Sequence, residues 1–189
     1  MEQRMNCRAF SLIEMLVVVA IVAVLATLAT GGFTSVVQSS KIEQAGNALL
    51  DEIEIARQLA AVRGKTTELR IFKKSGATHY TGMQVWFTSP AEPASRIVKF
   101  PESVALLDDT SLSPWLSQMA SGTMSAGGEN TAYRAFKVRP SGAIDPAPAD
   151  SNNLFLTVAA DRTTAGSKPS NYATIQVNPY TGRPLLYRP

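Results

Sequence analysis

The chain has 189 residues, 45% of them hydrophobic, with 18 Lys and Arg against 15 Asp and Glu and a formal net charge of +3. That length fits one domain plus an additional segment, and so weak a basic excess does not argue for a nucleic-acid partner. With one cysteine, Cys7, and one histidine, His79, the chain has neither a disulfide framework nor the three or four Cys/His ligands of a zinc centre.

An apolar run from Leu12 to Thr30 carries a single charge, Glu14, and the next charged residue is Lys41. A bilayer core takes about 20 mostly apolar residues as helix, so the run can span it. In lipid, helix is the form in which one segment bonds all its own backbone groups. Arg4 and Arg8 precede the run and no Lys or Arg follows until Lys41, which sets the N-terminus in the cytoplasm and the bulk of the chain outside it. A cleaved secretory signal is the ordinary alternative, and Thr27-Leu28-Ala29-Thr30-Gly31-Gly32 could supply its site. That alternative leaves Glu14 unexplained, because a charge in such a core costs about 2.5–3.5 kcal/mol. A lipoprotein reading of Cys7 fails, since Arg4 and Asn6 stand where an apolar stretch is required.

Ala9-Phe10-Ser11-Leu12-Ile13-Glu14 resembles the processing site of type IV prepilins and type II secretion pseudopilins. The resemblance implies a cut between Ala9 and Phe10 by a prepilin peptidase on the cytoplasmic side, with N-methylation of Phe10. The usual residue before the cut is Gly, and Ala9 departs from that. Removing the leader, which holds Glu2, Arg4 and Arg8, leaves a charge of +2 and no cysteine. Once freed, the Phe10 amine is a cation that can pair with Glu14 of a neighbouring subunit. Such pairing relieves the cost of an isolated carboxylate in lipid and fixes register, making Phe10 and Glu14 the expected assembly residues.

Gly31-Gly32-Phe33 reads either as the membrane exit or as a soft point in the helix. From Ser35 to Arg63, the residues Ile42, Ala45, Leu49, Ile53, Ala56 and Ala60 recur at steps of three and four, one face of an amphipathic helix. Gly64 is its natural stop. The expected division is a leader at 1–9, a transmembrane helix at 10–30, an amphipathic continuation at 31–64 and an extracytoplasmic β head at 65–189. The head, about 125 residues, can hold one modest core.

Within the head, alternation predicts strands at Thr66–Lys73, Tyr80–Thr88, Arg96–Phe100, Ala132–Arg139, Leu154–Ala159, Tyr172–Val177 and Pro184–Tyr187. A Ser75-Gly76 turn makes the first two a hairpin. Ala105–Gly128 reads as an irregular, mobile loop containing Trp115, and Asp145–Asn153 as a Pro/Ala/Asp-rich loop. Trp86, Phe87 and Phe136 read as core. Short strands without intervening helices argue for an antiparallel sheet, hence α+β.

Ala56–Arg63 with Glu68–Ile71, Phe136–Gly142, Ala173–Asn178 and Thr181-Gly182-Arg183 resemble the helix end, mid-domain strand and closing hairpin of the GspH/FimT group of minor pilins. That resemblance implies a two-sheet β head packed on the helix. The stretch Asn178–Pro189 is also similar to the pilin-like D component of the Verru_Chthon cassettes. Some FimT-like members bind DNA through a Gly-Arg-x-Arg motif. Here the sequence is Gly182-Arg183-Pro184-Leu185, so Arg183 and the displaced Arg188 are the candidates for nucleic-acid contact. Two phosphate contacts would give only salt-sensitive binding.

Nothing in the sequence argues for an enzyme or a cofactor. His79 lacks a supporting nucleophile motif, and no phosphate-cradling glycine pattern occurs. Asp108-Asp109 and Asp145, Asp150 and Asp161 could contribute to a calcium site. The reading is a structural subunit of a type IV pilus or type II secretion pseudopilus, held in the bacterial inner membrane with a periplasmic head. Its expected partners are prepilin peptidase, other pilin or pseudopilin subunits and the inner-membrane assembly platform. A DNA- or surface-binding minor pilin is the alternative, with a membrane-tethered β domain outside any filament as a third reading.

Overall fold

The structure, a computed structural model, describes residues 11–126, 128–145, 154–164 and 166–188, with the side chains of all of these except 28–33 and 129. The chain divides into two compact units, Met1–Gln38 and Ser39–Pro189. Helix α1, Leu12–Arg63, contributes residues to both and is helical through Gly31-Gly32.

In the first unit, Ser11 opens α1. Its hydroxyl accepts from the Glu14 amide at 3.3 Å, which satisfies one of the donors that a helix start leaves unpaired, and its carbonyl accepts the first intrahelical bond, from the Met15 amide at 3.2 Å. The apolar side chains from Leu12 to Leu25 are exposed. Among the described residues, no helix is long and apolar enough to cross a membrane, and the apolar run whose side chains are described ends at Thr27.

The second unit is α+β, a helix packed on an antiparallel sheet. Ile42, Ala45, Leu49, Ile53, Ala56 and Ala60 are each at most 1% exposed, so the predicted stripe is the face that meets the sheet. Their partners in the core include Leu69, Ile71, Met83, Val85, Phe136, Leu156 and Ile175. Gly46 marks the tightest approach: a Cβ there would lie 3.1 Å from both the Ala173 Cβ and Leu186 Cδ1.

The strands are β1 Thr67–Lys73, β2 Tyr80–Thr88, β3 Ala91–Pro93, β4 Val98–Lys99, β5 Val104–Leu106, β6 Ala120–Ala126, β7 Glu129–Val138, β8 Ile144–Asp145, β9 Phe155–Ala160, β10 Tyr172–Val177 and β11 Pro184–Tyr187. Helix α2, Pro114–Gln118, lies between β5 and β6. The sheet runs β11-β10-β9-β5-β2-β1-β7-β6, with β3 and β4 also on β2 and β8 on β7. Register places Leu69 opposite both Val85 and Phe136, so the inward row of three strands is apolar. The two-sheet head implied by resemblance is corrected to one hydrogen-bonded sheet. β5 makes the join, pairing with β9 at three positions and with β2 only at Tyr80–Leu106.

The mobile loop expected over Ala105–Gly128 is also corrected. That stretch carries the end of β5, α2 and β6. Trp115 is 2% exposed, its ring centroid 4.4 Å from that of Phe136. Pro at the first turn presets α2, and the side chain it delivers fills the core. Phe136 is core as expected, whereas Trp86 and Phe87 are half-buried. Trp86 stands opposite Glu68 on the outer face and takes the Arg70 guanidinium 4.2 Å from its ring centroid. Tyr133 flanks the same guanidinium at 4.8 Å, while Glu68 holds it at 2.6 Å.

Candidate functional site

Glu14 sits in the first turn of α1 with its side chain exposed. Among the described residues its carboxylate has no hydrogen-bonding or ion-pairing partner. Its own amide is capped by Ser11, so the turn is formed while the acid is left open. Exposed apolar neighbours surround it in sequence: Leu12, Ile13, Met15 and Leu16 are 55–85% exposed. An unpaired anion beside bare apolar surface is costly in lipid and available to a cation from elsewhere. Ala9 and Phe10, the expected processing residues, lie outside the described residues.

The two arginines singled out in the sequence stand on the head beside acids of α1. Arg188 donates through Nη1 to Glu43 Oε2 at 2.9 Å and through Nη2 to Ser39 Oγ at 3.0 Å. Arg183 is exposed on the turn before β11, where its carbonyl accepts from the Asn178 amide at 3.0 Å. The hydrogen bond from Arg57 holds the Glu54 carboxyl below its ordinary range, and the Arg183 charge is the smallest of the causes that add to it. Arg57 Nε donates to Glu54 Oε2 at 3.0 Å.

Sequence reasoning missed the turn lock that Arg57 covers. The turns after β7 and after β10 dock together, with the Ile144 amide donating to the Pro179 carbonyl at 2.8 Å. Gly142 and Gly182 take φ of 88° and 64°. A Cβ on Gly142 would come 2.8 Å from the Thr181 carbonyl oxygen, and one on Gly182 would strike the Gly142 carbonyl. The signal was present as Ser141-Gly142 and Thr181-Gly182, two turn glycines at the ends of strands.

The remaining candidates are dispersed. Asp108 pairs with Lys73 at 2.6 Å and Asp145 with Arg139 at 2.6 Å. Asp109 accepts from the Ser111 hydroxyl at 2.6 Å and the Gly166 amide at 2.5 Å, contacts that lower its pKa to about 2. Asp161 lies elsewhere, in a cleft, and Asp150 is outside the described residues. His79 is buried, its Nδ1 accepting from the Asp108 amide at 3.1 Å and its Nε2 3.2 Å from the Thr163 carbonyl oxygen. Through these two contacts the ring ties three loops together.

Residues 4–30 match the family model described as the prokaryotic N-terminal methylation motif. The N-terminus of the chain therefore carries a methylation motif. The motif takes in Glu14 and the apolar run and leaves the head outside it. No curated protein matches the chain. Among solved structures, the chain is similar to the type IV minor pilin FimU of Pseudomonas aeruginosa, at 14% identity and a TM-score of 0.47. That likeness covers 79% of this chain and 93% of the other.

Proposed function

We propose that this pilin-like chain is a non-enzymatic structural subunit, cut between Ala9 and Phe10, N-methylated on Phe10, and built into a type IV pilus or type II secretion pseudopilus. The observation that carries the reading is the methylation motif over residues 4–30 with Glu14 inside it, exposed and without an ion-pair partner among the described residues. Before assembly the apolar run holds the chain in the inner membrane, with the head on the periplasmic side. Prepilin peptidase acts first, and the assembly platform and other subunits then receive the processed chain. The freed Phe10 amine of one subunit pairs with Glu14 of the next. That contact exchanges an isolated carboxylate for an ion pair where water is scarce, and breaking it leaves a buried charge uncompensated.

Mass spectrometry of the mature N-terminus tests the first half. A methylated Phe10 is expected, and a start near Gly31 would mean a secretory signal and the loss of the filament reading. Glu14→Val tests the second half. It is expected to be inserted and cleaved normally yet absent from sheared filaments, and normal incorporation would sink the pairing.

A further inference from the structure

A cleft of about 570 Å³ opens on the head beside Phe72, Thr81 and Phe100. A second hollow of about 440 Å³ shares Phe72, Lys99 and Ala126 with it and extends it toward Ile97. Either lies within the span of small-molecule sites, roughly 300–1,000 Å³. Four charged groups line the first: Lys74, Lys99, Glu102 and Asp161. Among the described residues none of the four is ion-paired, whereas Lys73, next to Lys74, is held by Asp108.

Backbone contacts position the segments that carry these charges. The Lys74 amide donates to Thr81 Oγ1 at 3.2 Å and the Phe100 amide to the Thr81 carbonyl at 3.0 Å, gathering the lysine-bearing segments about Thr81. The Asp161 amide donates to the Ser103 carbonyl at 3.1 Å, setting Asp161 beside the Glu102-Ser103 segment. Ser103 itself has a φ of 69°, in the left-handed region that residues other than glycine seldom enter. Backbone strain of this kind concentrates where a ligand is clamped.

We propose that this cleft binds a saccharide bearing a carboxylate, that is, a uronic-acid sugar. Lys74 and Lys99 receive the sugar carboxylate. Glu102 and Asp161 accept hydrogen bonds from its hydroxyls, which ionised carboxylates do well because they only accept. Phe72 and Phe100, 4% and 8% exposed, form an apolar floor beneath the ring. A polyphosphate or DNA backbone offers Glu102 and Asp161 no hydroxyl donors along the chain, whereas a uronic-acid sugar brings both a carboxylate for the lysines and hydroxyls for the acids. An added peptide strand would find β4 only two residues long, too short an edge to template it. The site stands on the head alone, whether or not the subunit enters a filament.

The test is calorimetric titration of the detergent-solubilised full chain with trigalacturonate, maltotriose, inorganic phosphate and triglutamate. Trigalacturonate is expected to bind at least about tenfold more tightly than the other three. The Lys74→Gln/Lys99→Gln pair should weaken it by about tenfold or more. Ala126→Trp, which fills the part shared by both hollows without changing charge, should abolish binding while the thermal midpoint holds. Five outcomes would each overturn the proposal: equal binding of phosphate, a bare anion site; equal binding of maltotriose, a site blind to the carboxylate; equal binding of triglutamate, a peptide site; full binding by Ala126→Trp; or no trigalacturonate binding in the millimolar range.

Discussion

Arg188 and Glu43, 145 positions apart in sequence, are joined at 2.9 Å, and the same guanidinium reaches Ser39 Oγ at 3.0 Å. The clasp fastens the segment after β11 to the first turn of α1 that belongs to the head unit, which begins at Ser39. It also engages one of the two arginines that the sequence offered for nucleic-acid contact. Both partners are partly exposed, Arg188 at 30% and Glu43 at 55%, and such pairs contribute only about 0.2–1 kcal/mol.

The clasp is therefore a local fastener. Arg188→Ala is expected to change global stability by less than about 1 kcal/mol, while amides over Ser39–Gly46 exchange faster and those over Ile53–Ala60 do not. Equal acceleration along the whole helix would mean that Arg188 supports the entire core.

The stripe on α1 gives a sharper contrast. Leu49 is fully buried against the sheet, whereas Ile55 is 36% exposed on the opposite side. Leu49→Ala should cost about 2–5 kcal/mol, and Ile55→Ala about 0.5 kcal/mol or less. Urea unfolding of the two variants, read at constant slope, checks the difference.

That stripe was legible because Ile42 through Ala60 repeat at helical spacing and nothing local competes. The hairpin of β1 and β2 was legible for the same reason, as an alternation closed by Ser75-Gly76. β6 was not legible, since Ala120, Ser121, Gly122 and Ser125 have little strand preference of their own. They are strand because β7 pairs with them over seven positions, a tertiary cause that overrides propensity. Trp86 was misplaced because its aromatic character was read as core, although alternation sets it with Gln84 on the face opposite Met83 and Val85, where it meets Arg70 of the next strand. The clasp and the charged cleft join residues far apart in sequence and leave no local pattern.

Two glycines test whether the turn lock is tight. Gly64 and Gly182 both have positive φ, 61° and 64°, but only Gly182 faces an obstacle, the Gly142 carbonyl. Placing Ala in the left-handed region costs roughly 1–2 kcal/mol at either site, and overpacking adds roughly 1–3 kcal/mol at Gly182. Gly182→Ala should therefore have a clearly lower urea midpoint than Gly64→Ala. Equal midpoints would mean that the two turns separate without cost.

Two acids pull the pH dependence of stability in opposite directions. Hydrogen bonds from Ser111 and Gly166 lower Asp109 from 3.8 to about 2. The folded state therefore holds fewer protons than the unfolded chain between these values, and stability from this group is lost as pH falls through them. Glu52 is the reverse. Burial raises its pKa above 4.5, only partly offset by the hydrogen bond from Ser95 at 3.2 Å and by Arg96. The folded state binds the Glu52 proton more tightly, so this group favours folding at low pH, and the advantage is lost as pH rises through the raised value. Asp109→Asn should flatten the acid limb between about pH 4 and pH 2. Glu52→Gln keeps a hydrogen-bonding side chain without the charge, so it should raise the melting midpoint at pH 8 and leave it unchanged at pH 4. Equal gains at both values would place the effect of Glu52→Gln in packing, with no part for its proton.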